Sequence, residues 1–397
     1  MEAFFRTHSY LVEHTNAPVR RLLMDEIDWN HRMIGIKGTR GVGKTTFLLQ
    51  YAKEHFDIHD RKCLYINMNN FYFQGRGISD FAGEFYRQGG KVLLIDQVFK
   101  ETNWSHELRK CYDLYPELKI VFTGSSVMRL KEENPELNGI VESYNLRGFS
   151  FREFINLQTE NKFNFQPYSL EDILENHEHL ARQVLPNVSP SSYFQNYLHH
   201  GFYPFFLEHR NYSENLLKTM NMMTEVDILL IKQIELKYLT KIKKLFYQLA
   251  VNGPKAPNIS QLANDIETSR ATVMNYIKYL ADARLINIIY PVGQAFPKKP
   301  TKVMLHNTNL MYAIYPNEIN EQDIMETFFV NSLWKDHKIN QTGKENTYTV
   351  DEEKHFRICN AKNIGKIKIL PNTIYARYNT EIGKGNQIPL WLLGFLY

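Results

Sequence analysis

The segment that most constrains the fold of this chain is a glycine-rich stretch between a short apolar run and a helical pattern. Met33–Ile36 reads as a buried strand, and the residues Gly38–Thr45 (GTRGVGKT) have the spacing GxxxxGK[ST]. From Thr46 onward, apolar residues recur with helical spacing. A strand, a glycine-rich loop and a helix in this order predict a loop that binds phosphate groups. The alternative is a chance match in a glycine-containing turn.

The residues of this loop suit a nucleoside triphosphate with magnesium. Its glycines let backbone N–H groups turn inward around a phosphate, and the helix N-terminus behind it adds partial positive charge. The Lys44 ammonium can reach the β- and γ-phosphates, and the Thr45 hydroxyl can hold Mg²⁺. We therefore expect ATP or ADP with Mg²⁺ as ligand. The expected binding residues are Gly38, Thr39, Arg40, Gly41, Val42, Gly43, Lys44, Thr45 and Thr46.

Two further apolar runs end in residues that fit this chemistry. Lys91–Asp96 (KVLLID) resembles the interior of a parallel sheet, and Asp96 is the expected metal-organising carboxylate, acting with Thr45 directly or through water. A strand-end Asp that caps the next turn is the alternative. Lys119–Ser126 (KIVFTGSS) ends in hydroxyls, and Ser125 is expected to face the γ-phosphate and the attacking water. With a further run at Cys63–Asn67 and helical patterns between, residues 1–150 are predicted to form a doubly wound parallel α/β domain.

Composition excludes several classes of protein. With 43% hydrophobic and 23% charged residues, the chain is not mostly disordered. The net charge of +4 is too balanced to indicate nucleic acid by itself. The apolar end, Ile388–Tyr397, is too short to span a membrane, so we expect a buried strand or packing tail and no membrane partner. The widely spaced Cys63, Cys111 and Cys359 indicate reduced thiols and a cytoplasmic protein.

A later part of the chain has the element order of a winged helix-turn-helix. Helical patterns cover Lys241–Val251, Ile259–Ile266 and Arg270–Ala283, the last with Ser269 as N-cap, and Leu285–Tyr290 alternates like a wing strand. The residues expected to face inward are Ile242, Leu245, Phe246 and Leu249 in the first helix, and Ala271, Met274, Ile277 and Leu280 or Tyr276 in the third.

The third helix of this unit has two interpretations. In one, its polar residues read a DNA major groove. These residues are Arg270, Thr272, Asn275 and Lys278. In the other, the unit is a packing or assembly module, because the helix has only two basic residues and ends near Asp282, whereas sequence-specific DNA readers usually have a denser basic face. We favour the second interpretation and leave DNA as a possible partner.

Seven segments spread over nearly the whole chain resemble a large prokaryotic AAA+ ATPase family, whose members join an N-terminal AAA+ module to a C-terminal domain of uncharacterised type. The segments are 38–46 (GTRGVGKTT), 89–96 (GGKVLLID), 103–126, 146–155 (LRGFSFREFI), 200–208 (HGFYPFFLE), 299–314 and 381–397. The resemblance implies four domains. They are an AAA+ nucleotide-binding core at 1–150, a helical lid at 151–236, a winged helix-turn-helix at 237–297 and an α+β nuclease-like domain of the PD-(D/E)XK kind at 298–397.

The chain departs from this family at two places that bear on catalysis. Gln97 stands where the family has a Glu that activates water, and an amide cannot accept a proton as a carboxylate does. Gly139 and Ile140 stand where the family has an arginine pair, one of which would stabilise the γ-phosphate in the transition state. Other residues could substitute for the missing groups. The substitutes are Glu101 for the base and Arg129, Arg147 or Arg152 for the arginine finger.

The nuclease-like domain also departs from the pattern that the resemblance implies. Nuclease chemistry of this kind needs acids that hold Mg²⁺ and a nearby Lys. Glu326 is a plausible leading acid and Lys362 fits the Lys, but Thr347 and Arg357 stand where acids would be. Asp351 falls in a turn, where Asp is common. We expect a nuclease-like fold without nuclease activity.

Two functions follow from these observations. In the first, the chain binds ATP–Mg²⁺ and hydrolyses it slowly, with Asp96, Gln97 and Ser125 at the reacting end, and the nucleotide locks a shape that binds a protein partner. In the second, the chain is an active ATPase that drives remodelling of a DNA or protein partner. Gln97 and the Gly139–Ile140 pair favour the first, whereas Lys44 and Thr45 are compatible with both.

Overall fold

A computed structural model of the 397-residue chain describes residues 1–130, 132–208, 211–315, 319–341, 346–360 and 370–397. The chain divides into two compact units, Met1–Gly148 and Phe149–Tyr397. Within the described residues, we find no helix with the length and apolar character needed to cross a membrane.

The first unit is built on a five-stranded parallel sheet with the strand order β2-β3-β4-β1-β5. Its strands are β1 Met33–Gly38, β2 Cys63–Asn67, β3 Val92–Asp96, β4 Lys119–Ser125 and β5 Glu142–Asn145. Its helices are α1 Glu2–His14, α2 Leu23–Glu26, α3 Lys44–His55, α4 Ile78–Arg87 and α5 Trp104–Leu114. The predicted doubly wound α/β core and its four predicted strands are thus confirmed.

The burial of the strands explains why they could be recognised. β3 is buried at every position and β4 at all but its first, as expected for strands covered on both faces of a parallel sheet. By contrast, β5 is half-exposed and polar (ESYN). The edge strand β2 is covered by α1, where the buried His8 Nδ1 accepts a hydrogen bond from the Tyr65 N–H at 3.1 Å. This contact satisfies a donor that a sheet edge would otherwise expose.

The second unit combines helices with two small sheets. Its helices are α6 Phe151–Gln158, α7 Leu170–Val184, α8 Pro190–Asn196, α9 Tyr212–Met222, α10 Leu229–Ile231, α11 Leu239–Val251, α12 Ile259–Asp265, α13 Arg270–Asp282, α14 Thr308–Ile314 and α15 Glu321–Leu333. Its strands are β6 Ile286–Ile289, β7 Lys302–Leu305, β8 Ile339–Gln341, β9 Thr347–Val350, β10 Lys354–Asn360, β11 Thr373–Tyr378 and β12 Gln387–Pro389. The larger sheet is mixed, with the order β12-β11-β10-β9-β8.

One hydrophobic core joins α6, α7 and α8 to α15 and the larger sheet. The terminal segment takes part in this core. It contains the short strand β12 and a 3₁₀ helix at Leu390–Phe395, whose six residues are all buried. The sequence-based prediction of a buried packing tail is therefore confirmed, although only its first residues are strand.

The helices α11, α12 and α13 are followed by an antiparallel pair, β6 and β7. All three predicted helices are confirmed, and the Ser269 hydroxyl caps α13 by accepting from the Thr272 N–H. The four residues predicted to face inward from α11 are buried. In α13 the prediction was partly wrong, because the buried residues are Val273, Tyr276, Ile277 and Leu280, while Ala271 is exposed and Met274 is half-buried.

Candidate nucleotide-binding site

The glycine-rich loop connects the end of β1 to the start of α3 with a backbone that requires glycine. Gly41 and Gly43 have φ angles of 80° and 91°, in the left-handed region that side chains disfavour. A Cβ atom on Gly38 would lie 2.5 Å from the Leu146 carbonyl oxygen, on the segment that follows the neighbouring strand β5. The turn and the close backbone approach together explain the spacing of these three glycines.

Lys44 lies across this loop. Its ammonium donates to the carbonyl oxygens of Gly38 and Thr39, each at 2.8 Å. The side chain therefore folds back from the first residue of α3 to the end of β1. The backbone amides of this short loop and the Lys44 ammonium form an arrangement suited to phosphate oxygens.

The carboxylate of Asp96 receives hydrogen bonds from several neighbouring side chains. The Thr45 hydroxyl donates to Oδ2 at 2.7 Å, the Tyr65 hydroxyl donates to the same oxygen at 2.9 Å, and the Thr123 hydroxyl donates to Oδ1. The Asn67 amide also donates to Oδ2, at 3.3 Å. Asp96 is 1% exposed, so these donors replace the water that a carboxylate requires.

Sequence reasoning identified Thr45 and Asp96 but missed the three other donors. Asn67 is the register partner of Asp96 across β2 and β3, and Tyr65 precedes it by two residues on the same face of the strand. Burial, followed by the neighbouring Asp96, raises the pKa of the Tyr65 hydroxyl well above its ordinary value, so it remains a donor. The sequence signal that could have identified Tyr65 and Thr123 was the presence of a polar group within each apolar run, Cys63–Asn67 and Lys119–Ser126.

Ser125 ends the strand that lies between β1 and β3. It is the register partner of Gly38, the first residue of the loop, and it is 2% exposed. Its hydroxyl accepts a hydrogen bond from the Val127 N–H at 3.3 Å. The sheet therefore brings Ser125 beside the loop, as expected from the shared carboxyl edge of parallel strands.

Gln97 directly follows Asp96 in a left-handed backbone conformation, with φ 58° and ψ 48°. Its N–H donates to the Thr123 hydroxyl at 2.9 Å. Thr123 thus contacts both Asp96 and Gln97, and it fixes the backbone at the position where the resemblance places the water-activating residue. A non-glycine residue in this conformation is uncommon and indicates that the surrounding contacts hold it there.

The proposed substitutes for the arginine finger have different surroundings. Arg152 is 6% exposed, and it donates to the carbonyl oxygens of Phe165 and Tyr397 within the second unit. Arg147 is also buried. Arg129 has a side chain that is 36% exposed and lies 4.0 Å from Glu133. Of the three, Arg129 alone has the exposure that contact with a neighbouring subunit would require.

The acid expected to lead a nuclease site is instead part of a buried ion pair. Glu326 on α15 and Lys302 on β7 are 3% and 5% exposed, and the ammonium donates to Glu326 Oε2 at 2.5 Å. The Tyr348 hydroxyl donates to the same oxygen and Gln322 donates to the other. Thr347 and Arg357 are register partners on β9 and β10, whereas Lys362 lies outside the described residues.

Among the described residues, no group of three or more His, Cys, Asp or Glu side chains is arranged to hold a metal ion. Asp351 lies in the turn between β9 and β10, as predicted, and its carboxylate contacts the His337 Nδ1 at 2.7 Å.

The polar residues of α13 are not all directed to solvent. Arg270 and Asn275 are exposed and Thr272 is half-buried, with its hydroxyl bonded to Ser269 at 2.9 Å. The Lys278 ammonium lies 4.5 Å from the centroid of the Phe296 ring, in the connection between β6 and β7. Such a cation–π contact engages one of the two basic residues of the helix.

Comparison with known proteins adds two family matches. Residues 30–155 match the family model of an AAA domain, and residues 191–318 match a domain of unknown function (DUF8612). An uncharacterized protein of Methanocaldococcus jannaschii is 28% identical over 276 residues, which are 66% of this chain. The match spans only 57% of that relative's length.

Two solved structures are distantly similar. The replication initiator DnaA bound to AMPPCP and single-stranded DNA aligns with 69% of this chain and 92% of its own, at 14% identity and a TM-score of 0.25. The Aeropyrum pernix ORC1 protein in complex with DNA aligns with 80% of this chain and 92% of its own, at 12% identity and a TM-score of 0.30. The family match, the five-stranded parallel sheet and the glycine-rich loop agree with one another, and residues 30–155 are therefore similar to an AAA domain in sequence and in fold.

Proposed function

We propose that the chain binds ATP or ADP with Mg²⁺ at Gly38–Thr46. The observation that carries the proposal is the 2.7 Å hydrogen bond between Thr45 and Asp96, because it joins the phosphate-binding loop to a strand-end carboxylate. The left-handed glycines of the loop and the Lys44 ammonium above it supply the groups that a triphosphate needs. On phosphate binding, Lys44 would exchange its two carbonyl partners for phosphate oxygens.

The donor set of this site fits Mg²⁺. The ion prefers oxygen ligands and usually keeps several waters, and the Thr45 hydroxyl and the Asp96 carboxylate both present oxygen. Thr45 would hold the ion directly, while Asp96 would hold its water, and the bound ion would neutralise charge on the phosphates. Tyr65, Asn67 and Thr123 would keep the carboxylate oriented through their hydrogen bonds to it.

We also propose that hydrolysis is slow. Ser125 would contact the γ-phosphate, and Gln97 would orient the attacking water without removing its proton. Gly139 is exposed and carries no charge, and Ile140 beside it carries none. The competing proposal is an active ATPase that uses Glu101 as base and Arg129 as finger to remodel a DNA or protein partner. Glu101 is half-buried and Arg129 is partly exposed, so burial excludes neither residue from these catalytic roles.

For the rest of the chain we propose a helical lid at 151–236, a winged helix-turn-helix at 237–297 and a nuclease-like domain at 298–397 that lacks nuclease activity. The helices α11–α13 and the strand β6 support the second assignment, and β6 pairs with β7 just beyond its boundary. The Lys302–Glu326 pair supports the third, because an ammonium already neutralises the leading acid. ATP would then act as a ligand that sets the conformation of a cytoplasmic protein for a protein partner.

Equilibrium calorimetry with Mg–ADP and a non-hydrolysable Mg–ATP analogue tests the binding proposal. The parent chain is expected to bind both, and Lys44→Ala is expected to lose most of the affinity. Lys53→Ala is the matched control, since Lys53 lies on the same helix but is exposed and donates to the Thr15 carbonyl oxygen at 2.9 Å. A parent chain that binds neither nucleotide, or a Lys44→Ala variant that binds like the control, would refute the proposal.

A further inference from the structure

A buried arginine outside the glycine-rich loop is hydrogen-bonded to the loop backbone. Arg21 is 8% exposed and lies just before α2, in the connection between α1 and β1. Its Nη1 donates to the Val42 carbonyl oxygen at 3.1 Å. Its Nη2 donates to the carbonyl oxygens of Arg147 at 2.6 Å and Gly148 at 3.1 Å. One guanidinium therefore joins the loop to the backbone that follows β5.

The bond to Val42 controls one peptide plane of the loop. Val42 lies between Gly41 and Gly43, both in left-handed conformations. The plane between Val42 and Gly43 turns with the ψ angle of Val42 and the φ angle of Gly43, and glycine tolerates several values of φ. In a planar trans peptide the C=O and the following N–H point in opposite directions. A donor that holds the Val42 carbonyl from one side thus directs the Gly43 N–H to the other.

We infer that Arg21 is a positioning residue for nucleotide binding, because it fixes the Gly43 N–H in the direction needed to bind a phosphate oxygen. The inference rests on the proposed nucleotide site and extends it to a residue outside the loop. The planar guanidinium suits this role, since its donors form a rigid fork that can grip the loop and the 147–148 backbone at once. A lysine could keep the charge but would lose the fork.

The test compares Arg21→Met and Arg21→Lys with the parent chain, using Mg–ADP and inorganic pyrophosphate as probes. Arg20→Met is the matched control, because Arg20 is exposed and bonds to Asp25 and Glu54 rather than to the loop. Dissociation constants are measured at a temperature where circular dichroism shows each variant to be folded. A second readout follows the Gly43 amide signal in ¹⁵N-glycine-labelled protein during pyrophosphate titration, with the signal assigned by its loss in Gly43→Ala.

Arg21→Met is expected to weaken both ligands by about tenfold or more, the effect of one charge-assisted hydrogen bond. Its Gly43 amide is expected to lose most of the pyrophosphate-induced shift. Arg21→Lys is expected to lie between it and the parent, and Arg20→Met to stay within about twofold of the parent. If Arg21→Met does not fold, a several-fold loss in folded Arg21→Lys decides the question.

A folded Arg21 variant with the parent's affinity and the parent's Gly43 shift would overturn the inference and leave Arg21 as a residue that stabilises the fold. That result would leave the proposed function intact. A parent chain that binds neither probe would instead refute the proposed function, and the inference with it.

Discussion

The Thr45 hydroxyl donates to the Asp96 carboxylate at 2.7 Å, although the two residues are 51 positions apart in the sequence. The contact links the start of α3 to the end of β3 across the intervening strand β4. It follows that the candidate site depends on the strand order as much as on the loop. Changes to the donors around Asp96 should therefore affect both the stability of the first unit and its affinity for Mg–nucleotide.

Tyr65→Phe should lower the free energy of unfolding by about 1.5–3 kcal/mol, because it removes one hydrogen bond to a buried carboxylate without altering the ring. Urea unfolding of the parent and the variant measures this change. Tyr10→Phe is the control, since Tyr10 is 61% exposed and should change the value by less than about 0.5 kcal/mol. Equal effects at the two positions would contradict the account of Asp96.

The first unit should become less stable as the pH falls from 6.5 to 4. Burial lowers the pKa of His8 from 6.5 to about 4. The unfolded chain therefore binds a proton at His8 more tightly than the folded chain does. As a result, the contribution of His8 to the free energy of unfolding is complete above about pH 6.5 and is lost as the pH falls toward 4. The loss is on the order of 3 kcal/mol. His8→Asn keeps an acceptor for the Tyr65 N–H but does not titrate. Urea unfolding of this variant should therefore show a smaller dependence of stability on pH. An unchanged pH dependence would exclude His8 as the cause.

Lys302→Met should destabilise the chain by about 3–5 kcal/mol, because it leaves the buried Glu326 side chain without its partner. The double variant Lys302→Met, Glu326→Leu removes both charges and should recover much of this loss. Both values come from urea unfolding. A single variant as stable as the parent would show that the pair does not neutralise Glu326.

In the parent, Mg²⁺ should support no cleavage of plasmid or single-stranded DNA.

DNA binding, if it occurs through α13, should be weak, sensitive to salt and indifferent to sequence. Arg270 and Asn275 are its exposed polar residues, and Lys278 is engaged with Phe296. Phosphate contacts made by few basic residues supply little sequence discrimination. Gel-shift measurements at physiological salt with random and selected duplexes check this prediction. Nanomolar selection of one sequence would mean that Arg270 and Asn275 read bases.

Much of the first unit was predictable because its buried strands are local apolar runs. β5 was not, since its polar, half-exposed residues carry no such signal. The loop and Asp96 were recognisable from spacing and from the end of an apolar run. Tyr65 and Asn67 were not, because only the strand order reveals that β2 lies beside β3. In α13, the apolar pattern predicted Ala271 and Met274 to face inward, whereas the structure buries Val273, because the rotation of a helix about its axis is set by packing and not by the pattern alone.

The positions that lack catalytic groups should respond unequally to substitution. Gln97→Glu should raise ATP turnover only in part, because it restores a base without the positive charge on the γ-phosphate. Adding Ile140→Arg should raise turnover further if neighbouring subunits meet there. Gly139→Arg is less suitable, since Gly139 has a φ of 76° that side chains disfavour. The two effects act on one transition state and should not simply multiply.

Single-turnover hydrolysis, with bound nucleotide measured in the same samples, tests the central claim most directly. The account predicts that the parent chain holds ATP–Mg²⁺ and converts it at a rate well below about one per second, the lower end of typical enzyme turnover. Gln97→Glu should bind equally well and react faster. A parent rate of about one per second or more would contradict the account and direct attention to Glu101 and Arg129, and so would a parent chain that retains no nucleotide.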